Sequence, residues 1–318
     1  MRLTGYNRTH FIMKKILILF IAIVTLIAFS SCEKEQLGVF NPTKKIHKIY
    51  QQTEYASKHL TETWTWDNNK LMQVDYFPNS NIISKDNFEY DGNFMSKIVR
   101  TYTNIMNGQS AIFETSFSYN GKKLVAIHSN IIEVNIDLPV AESVVKMNFF
   151  YEGNKISKME MISDLSESSQ KSDFVFSSLR YVLPAQIIDI IKETQKNTRK
   201  SIAAENVITV LFTWDGNNVI KTITETQAFG VLQTGVSEIS YDKMNNPCYG
   251  YFFGSNIGGL TKNNPTKVIT ITNNDTNSRL EQTYSYTYKN RFPIEIIKEL
   301  DRGYGDKETT STYYEYLD

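Results

Sequence analysis

The chain has 318 residues, of which 41% are hydrophobic, 13% aromatic and 21% charged, and its formal net charge is zero. This composition is globular, and the length fits either about two domains or one large β domain. The first 32 residues carry four basic side chains and no acidic ones, so the remainder has a net charge of −4. That acidic balance argues against nucleic acid or an anionic membrane surface as a general partner of the body.

The N-terminus carries an export signal. Lys14 and Lys15 precede a 14-residue apolar run, residues 16–29, which small residues end before Cys32. A transmembrane helix needs about 20 apolar residues, so a shorter run with a basic start predicts a signal peptide over residues 1–31. Met13 is the natural start of such a signal. Residues 1–12 are therefore either an upstream start-codon artefact or a genuine extension.

The residues around Cys32 resemble the processing site of a bacterial lipoprotein. The resemblance implies cleavage before Cys32 and acylation of its thiol, as with palmitate, and of its new amino group; an ordinary cleaved signal is the alternative. Phe29 departs from the pattern, in which Leu is usual at that place. The acidic residues in 33–35 resemble surface-export signals of some Gram-negative lipoproteins. We expect an outer-membrane lipid anchor, a tether over 32–44, and a body that faces either the cell surface or the periplasm.

From residue 45 onward, one hairpin motif recurs. An aromatic residue, here called the anchor, is followed by Asp, Asn or Glu and then by Gly or Asn, which is a strong signal for a tight β-turn. A second aromatic residue lies two positions before each anchor and therefore shares its face of the strand. The five anchors are Trp66, Tyr90, Tyr119, Tyr151 and Trp214, and the paired aromatics are Trp64, Phe88, Phe117, Phe149 and Phe212.

Apolar residues recur five and eight positions after the first four anchors, as in Leu71 and Val74. A spacing of three changes face in a regular strand, so the pattern predicts a bulge, or a turn that reaches the first of the two residues. In the fifth unit Val219, Ile220 and Ile223 predict a register that slips by one.

Further elements complete an antiparallel meander of short strands. Lys45–Ile49 is typical of the second half of a unit, two degenerate units follow at 240–247 and 286–294, and a closing strand is predicted around Tyr314. Residues 45–318 are therefore predicted to form a single domain with an insertion at 163–205. Within the insertion, Pro184–Gln195 has helical spacing. We expect that helix to plug one end of the sheet, with a functional lid as the alternative.

A glycine- and aromatic-rich loop interrupts the repeat near residue 250. Its aromatic side chains either pack in the core or, if exposed, stack on a sugar or anchor a partner. We treat them as candidate ligand-binding residues. They are Tyr249, Tyr251, Phe252 and Phe253.

No catalytic, metal or cofactor motif is evident. The four histidines have no metal-ligand spacing, and the sequence contains no nucleophile elbow, phosphate loop or zinc-protease helix. If Cys32 is acylated, Cys248 has no disulfide partner and is predicted to be a small buried hydrophobe. The repeated Asp residues after the anchors are expected to form turns and not to bind calcium.

The processing site together with the hairpin array resembles a family of secreted bacterial lipoproteins of unknown function that have a porin-like β fold. The resemblance covers nearly all of 45–318 and implies a barrel, but it carries no catalytic residues to transfer. The motifs that carry it are Tyr90-Asp91-Gly92-Asn93, Tyr119-Asn120-Gly121-Lys122, Tyr151-Glu152-Gly153-Asn154, Trp214-Asp215-Gly216-Asn217, Tyr241-Asp242-Lys243-Met244 and Asn263-Asn264-Pro265-Thr266.

These observations predict an all-β protein, an antiparallel meander of repeated hairpins with about twelve to sixteen strands in a closed or nearly closed barrel, and one short inserted helix. An integral outer-membrane barrel is the architectural alternative. The expected function is that of a cell-envelope lipoprotein that binds a glycan, a peptide or a protein. A structural or assembly component and, less favoured, a hydrolase are the alternatives. We expect no cofactor and no nucleic-acid partner.

Overall fold

The computed structural model describes residues 39–79, 82–106, 108, 110–135, 145–163, 206–228, 231–251, 257–303 and 307–318. The predicted signal peptide, Cys32, the helix predicted at Pro184–Gln195, Phe252 and Phe253 lie outside these residues. Chain contacts group Gln36–Asp318 as one compact unit.

Sixteen strands and one turn of 3-10 helix (Ile257–Leu260) make up the described secondary structure. The strands are β1 (Ile46–Thr53), β2 (Ala56–Asp67), β3 (Lys70–Asn79), β4 (Ile82–Asp91), β5 (Phe94–Asn104), β6 (Ser110–Asn120), β7 (Lys123–Asn135), β8 (Val145–Glu152), β9 (Lys155–Ser163), β10 (Asn206–Asp215), β11 (Asn218–Ala228), β12 (Val231–Tyr241), β13 (Pro265–Thr272), β14 (Asp275–Lys289), β15 (Phe292–Asp301) and β16 (Lys307–Tyr316).

The strands form a closed barrel in which each one pairs with its neighbours in the chain, and β1 pairs with β16. Every pairing is antiparallel, and the closing register places Ile49 opposite Tyr314. The predicted all-β antiparallel meander and its closure are confirmed. Closure leaves no strand edge exposed.

The tight turns between even- and odd-numbered strands follow the repeated motif. Gly121 has a φ of 60°, and Asn68 occupies the equivalent place with a φ of 49°. Glycine and asparagine tolerate this left-handed conformation better than other residues. Turns of this kind match the twist of the flanking strands. They recur at the same end of the barrel because every second connection of an antiparallel meander lies at that end. We call this end the turn rim.

Beside each turn the register shifts by one residue. Trp66 lies opposite Leu71, and Tyr90 lies opposite Met95, with the shift just before each anchor. The predicted bulge is confirmed, and it directs both apolar residues after the turn into the interior.

The slip predicted for the fifth unit is wrong. Trp214 lies opposite Val219 with the same shift as in the other units. Thr222 takes the inward position eight residues after the anchor and is 2% exposed, whereas Ile220 is 37% exposed. The fifth unit was aligned by its apolar residues, but the inward position eight residues after the anchor holds a buried threonine. In the first four units that position holds an apolar residue.

The aromatic pairs face the interior, as predicted for a packed sheet face. Trp64, Phe88, Phe117 and Phe149 are buried in one hydrophobic core, and the anchors are half-buried against it. Phe40 belongs to the same core and is 3% exposed. The last part of the predicted tether is therefore packed against the barrel.

Each anchor also connects its hairpin to the previous one. The ring N–H or hydroxyl of an aromatic residue on an even-numbered strand donates a hydrogen bond of 2.5–2.8 Å to a carbonyl at the start of the preceding odd-numbered strand. We call these the inter-hairpin bonds. The pairs are Trp66 to Ile46, Tyr90 to Leu71, Tyr119 to Met95, Tyr151 to Leu124, Trp214 to Ile156, Tyr241 to Val219, Tyr286 to Pro265 and Tyr316 to Pro293.

Candidate functional site

The break in the repeat lies at the turn rim. The connection from β12 to β13 begins at Asp242, whose Oδ1 accepts hydrogen bonds from the backbone N–H groups of Met244 (2.9 Å) and Asn264 (3.1 Å). The Tyr288 hydroxyl donates to the same carboxylate. The side-chain amide of Asn264 also donates to Oδ2 at 3.4 Å. A carboxylate that accepts these four hydrogen bonds fixes both ends of the connection against β14. We call residues 242–264 the rim loop.

The rim loop meets the N-terminal segment in the interior. Gly250 has a φ of 87°, and a Cβ there would lie 3.1 Å from the carbonyl oxygen of Val39. This close approach brings the Tyr251 ring to 5.1 Å from Phe40 and 5.0 Å from Trp64, measured between ring centroids. The two segments thus share one aromatic cluster with the wall.

The candidate ligand-binding aromatics fall in this region. Tyr251 is 8% exposed, so of the two alternatives its ring takes the packed one. Burial follows from the close approach of Gly250 to Val39, which no sequence pattern indicates. Tyr249 is half-buried in the same loop. A contact of either residue with a ligand stays a prediction, as do the roles of Phe252 and Phe253.

Cys248 lies in the same loop and is half-buried against the core. Desolvation raises the pKa of its thiol to about 12. The thiol is therefore protonated at neutral pH and is a poor nucleophile.

A buried ion pair lies beneath the rim loop. Asp86 on β4 and Arg100 on β5 are direct cross-strand neighbours, and the guanidinium contacts both carboxylate oxygens, with Nε 2.5 Å from Oδ1. The Tyr76 hydroxyl donates to Asp86 Oδ2 at 3.1 Å. Since that proton is committed to a carboxylate, the Tyr251 hydroxyl, 3.3 Å away, is the donor to Tyr76. The network thus connects the rim loop to three strands.

Glu62 is a second interior carboxylate. It lies two residues before Trp64 on β2, so both side chains face inward, and the indole N–H of Trp64 donates to Glu62 Oε2 at 2.8 Å. Desolvation, opposed by this hydrogen bond, raises the pKa of Glu62 to about 7, and the charge of Asp86 adds to the rise. Glu62 is therefore the interior group that changes charge near neutral pH.

One inward row of residues passes through Glu62. Across successive strands Tyr314 lies opposite Ile49, Ile49 opposite Glu62, Glu62 opposite Tyr76, and Tyr76 opposite Ser84. Ser84 is 0% exposed, and its hydroxyl has no hydrogen-bond partner among the described residues. We call this row the polar row.

The inner wall differs between the two sides of the barrel. On β4 to β10 the inward side chains are mostly buried and apolar. On β14 to β16 and β1, half-buried polar side chains lie among buried apolar ones such as Ile49 and Leu300. The half-buried polar side chains of that wall include Tyr284, Lys298, Thr310, Thr312, Tyr314 and Gln51.

The described residues contain no group of three or more His, Cys, Asp or Glu side chains that could hold a metal ion. In the same part of the chain, no helix is long and apolar enough to cross a membrane.

Two signals in the sequence could have found the interior charges. Glu62 and Asp86 each lie two positions before a paired aromatic, Trp64 and Phe88, and so share the inward face of their strands. Strand alternation alone therefore places both carboxylates inside. Arg100 follows from the same alternation, two residues beyond Ile98.

No protein-family model matches the chain, and no curated protein matches it. Among solved structures, the barrel is similar to the crystal structure of a porin-like protein from Bacteroides vulgatus, with 13% sequence identity, coverage of 86% of this chain and 99% of that chain, and a TM-score of 0.49. Similarity at this level assigns no function to the chain.

Proposed function

We propose that this chain is a non-catalytic lipoprotein of the bacterial cell envelope, anchored through Cys32, whose barrel binds a ligand in its interior. The half-buried polar inner wall on β14 to β16 and β1 is the observation that carries the binding proposal. A barrel that served only as a scaffold would be more stable with an apolar inner wall. The charged group of an inward Lys298 costs free energy to bury and must stay hydrated. A glycan, a peptide or part of a protein fits a wall of tyrosine and threonine side chains.

The outer wall supports a domain that faces water. Lys97 forms ion pairs with Glu89 (3.1 Å) and Glu114 (3.7 Å), and Lys267 pairs with Glu281 (2.6 Å). Such exposed pairs stabilise a fold by only about 0–1 kcal/mol each. They support the proposal through their position on the outer wall. A lipid-facing barrel carries a continuous apolar band around its circumference, and charged pairs interrupt such a band.

Apolar side chains also occur outside, and four of them form a cross-strand row on β10 to β13. Leu211, Ile223, Val236 and Ile271 lie opposite one another in successive strands. Among the described strands the row ends at β9, where Lys158 lies opposite Leu211. The proposal therefore assigns membrane attachment to the lipid on Cys32 and not to the strands.

The anchor is tested with Cys32→Ala in cells fed an alkyne analogue of palmitate. The unchanged protein should take up the label and remain with the outer-membrane fraction. The variant should take up no label and leave the membrane in alkaline carbonate without detergent. A variant that resists carbonate extraction would show that the strands themselves hold the protein in the bilayer, and the proposal would fail.

The binding part is tested with the released Cys32→Ala protein on a glycan array and an envelope-peptide library. We expect at least one class to bind, and Lys298→Ala in the inner wall to change that binding. Lys146→Ala on β8, whose side chain points outward, is the matched control and should leave binding unchanged. No binder in either library, together with stable co-purification of another envelope protein, would favour the structural alternative.

A further inference from the structure

Glu62 is an interior carboxylate without a counter-charge. The cation whose field acts on it is Arg100, and both oxygens of Asp86 already hold that guanidinium. Among the described residues, no Lys, Arg or His lies within ion-pair distance of Glu62. Its one hydrogen bond comes from the Trp64 indole. Ionisation of a carboxylate in this position costs free energy unless a cation from outside the chain binds beside it.

Aromatic residues neighbour this carboxylate on the inner wall. Trp64 precedes the turn on the same strand, and Tyr76 lies directly opposite on β3. Tyr314 lies opposite Ile49, which is itself the cross-strand partner of Glu62. Tyr251 closes the group from the rim loop, with its ring centroid 5.0 Å from that of Trp64. Ring faces attract cations, so a carboxylate among several rings fits an organic ammonium group.

The enclosure is accessible to solvent and contains unfilled hydrogen-bonding capacity. Glu62, Tyr76 and Tyr314 each face inward and keep part of their surface exposed to solvent. The hydroxyl of Ser84, next to Tyr76 in the polar row, is buried and has no partner among the described residues. An unsatisfied buried hydroxyl is uncommon in native proteins and is explained where a further polar group binds beside it.

We propose that the enclosure formed by Glu62, Trp64, Tyr76 and Tyr314 binds a small organic cation, an amine or a quaternary ammonium, with Glu62 as its counter-charge. This deepens the proposed binding function and rests on it. The Asp86–Arg100 pair orients Tyr76 through the hydroxyl bond and itself stays neutral as a pair. The cation is one ligand or one group of a larger ligand, such as an amino sugar or a lysine side chain.

The proposal implies a pH dependence with a defined sign. Only the ionised form of Glu62 supplies the counter-charge, and its pKa is about 7 without ligand. The other titratable groups that face it keep their charge states between pH 5.5 and 8, because burial raises the pKa of Tyr76, Tyr251, Tyr314 and Cys248. Arg100 remains protonated beside Asp86. Binding should therefore weaken by at least about tenfold between pH 8 and pH 5.5.

The test uses the full-length Cys32→Ala protein, with choline and n-butylammonium as cationic probes and 3,3-dimethylbutan-1-ol as the neutral isostere of choline. Calorimetry at pH 8 should show binding of the cations and at least tenfold weaker binding of the isostere. Equal binding of choline and its isostere, an affinity that does not change at pH 5.5, or no binding of either cation would overturn the proposal. None of these comparisons requires a folded variant at Glu62.

Variants localise the effect. Glu62→Gln keeps the shape and removes the charge, so it should weaken cation binding at least tenfold. Glu62→Asp should retain part of the affinity. Glu238→Gln, on the outer wall, is the matched control and should bind as the parent does. Unchanged binding in Glu62→Gln would also refute the site. Failure of all these results, with binding on the glycan or peptide arrays intact, would leave the proposed function standing without the cation site.

Discussion

Glu62 and Asp86 show how one rule of strand geometry yields two different chemical environments. Both precede a buried aromatic residue by two positions and both point into the barrel. Asp86 meets Arg100 across the strand pair, whereas Glu62 meets Tyr76. The identity of one cross-strand neighbour therefore decides whether an interior carboxylate is compensated.

Glu62→Gln should remove a pH dependence of stability. The folded protein holds the Glu62 proton up to about pH 7, and the unfolded chain releases it near pH 4.5. Between these values the folded state binds more protons, so the stability contribution present at low pH is lost as the pH rises. At pH 8, Glu62→Gln should raise the free energy of unfolding by about 1–3 kcal/mol, and much less at pH 4.5.

Urea denaturation at the two pH values measures this difference. Glu238→Gln is the matched control, since its outward side chain changes stability little at either pH. A Glu62→Gln variant that is equally affected at pH 4.5 and pH 8 would show that the carboxylate is not the source of the pH dependence.

At this scale the sequence predicted the inward aromatics, left the burial of Tyr251 open between two alternatives, and gave no indication that Phe40 is buried. Alternation along a strand identifies facing residues from sequence alone. Tyr251 and Phe40 lie outside strands, and their burial depends on contacts between segments about 210 positions apart in the chain. No local pattern records such a contact.

At the scale of elements, the hairpin and its bulge act together. The bulge turns the first apolar residue after the turn inward, and its carbonyl becomes the acceptor for the anchor of the next hairpin. Met95 is an example, since it packs in the core and accepts from Tyr119 at 2.6 Å. The repeated aromatic residue thus packs, and also holds neighbouring hairpins in register.

Tyr119→Phe tests this bond while it keeps the ring. Loss of the hydroxyl leaves the Met95 carbonyl without this donor, so we expect a loss of about 1 kcal/mol in the free energy of unfolding. Tyr313→Phe is the matched control, because its hydroxyl bonds Gln52 on the exposed outer wall at 3.1 Å. Denaturant unfolding should show a smaller loss for the control. Equal losses would mean that the inter-hairpin bond contributes nothing specific.

The elements were largely predictable because turn chemistry is local. Asp, Asn and Gly select the tight turn, and the aromatic residue marks the end of each strand. The fifth unit was misread because Ile220 and Ile223 are apolar but face outward, while Thr222 faces inward. The periodicity of apolar residues identifies the inward face only where the inward residues are apolar. A buried threonine is polar and therefore hides the pattern.

At the scale of the whole molecule, closure connects the first and last strands. Seven cross-strand pairs join β1 to β16, and the backbone N–H of Leu317 donates to the Lys45 carbonyl at 2.9 Å. These contacts span almost the whole domain in sequence. Contacts of such long range form late and make folding slow.

Removal of residues 307–318 should expose two strand edges at once, on β1 and β15. Open edges pair with other chains, so the truncated Cys32→Ala protein should self-associate and lose its cooperative thermal transition. Light scattering after gel filtration and calorimetry measure the two effects. Removal of Asp318 alone is the control and should behave as the parent does; a monomeric truncated protein with an unchanged transition would contradict the role of closure.

The sequence predicted a closed or a nearly closed barrel, and the closed form is the one observed. The polar side of the interior did not follow, because alternation predicts which residues face inward but not what fills the space between opposite walls. Lys298 and Thr312 on one wall, and Phe88 and Met95 on the other, have the same inward parity and different exposure. That difference is a property of the folded barrel.

The inter-hairpin bonds also bear on how such a barrel could have arisen. Each joins a hairpin only to its neighbour, and the eight of them are alike from Trp66 to Tyr316. Duplication of one unit would add two strands and one more bond of the same kind, and the circumference would grow in step because barrel diameter increases with strand number. A wider barrel would move the wall away from the rim loop, whose Tyr251 ring packs 5.0 Å from that of Trp64.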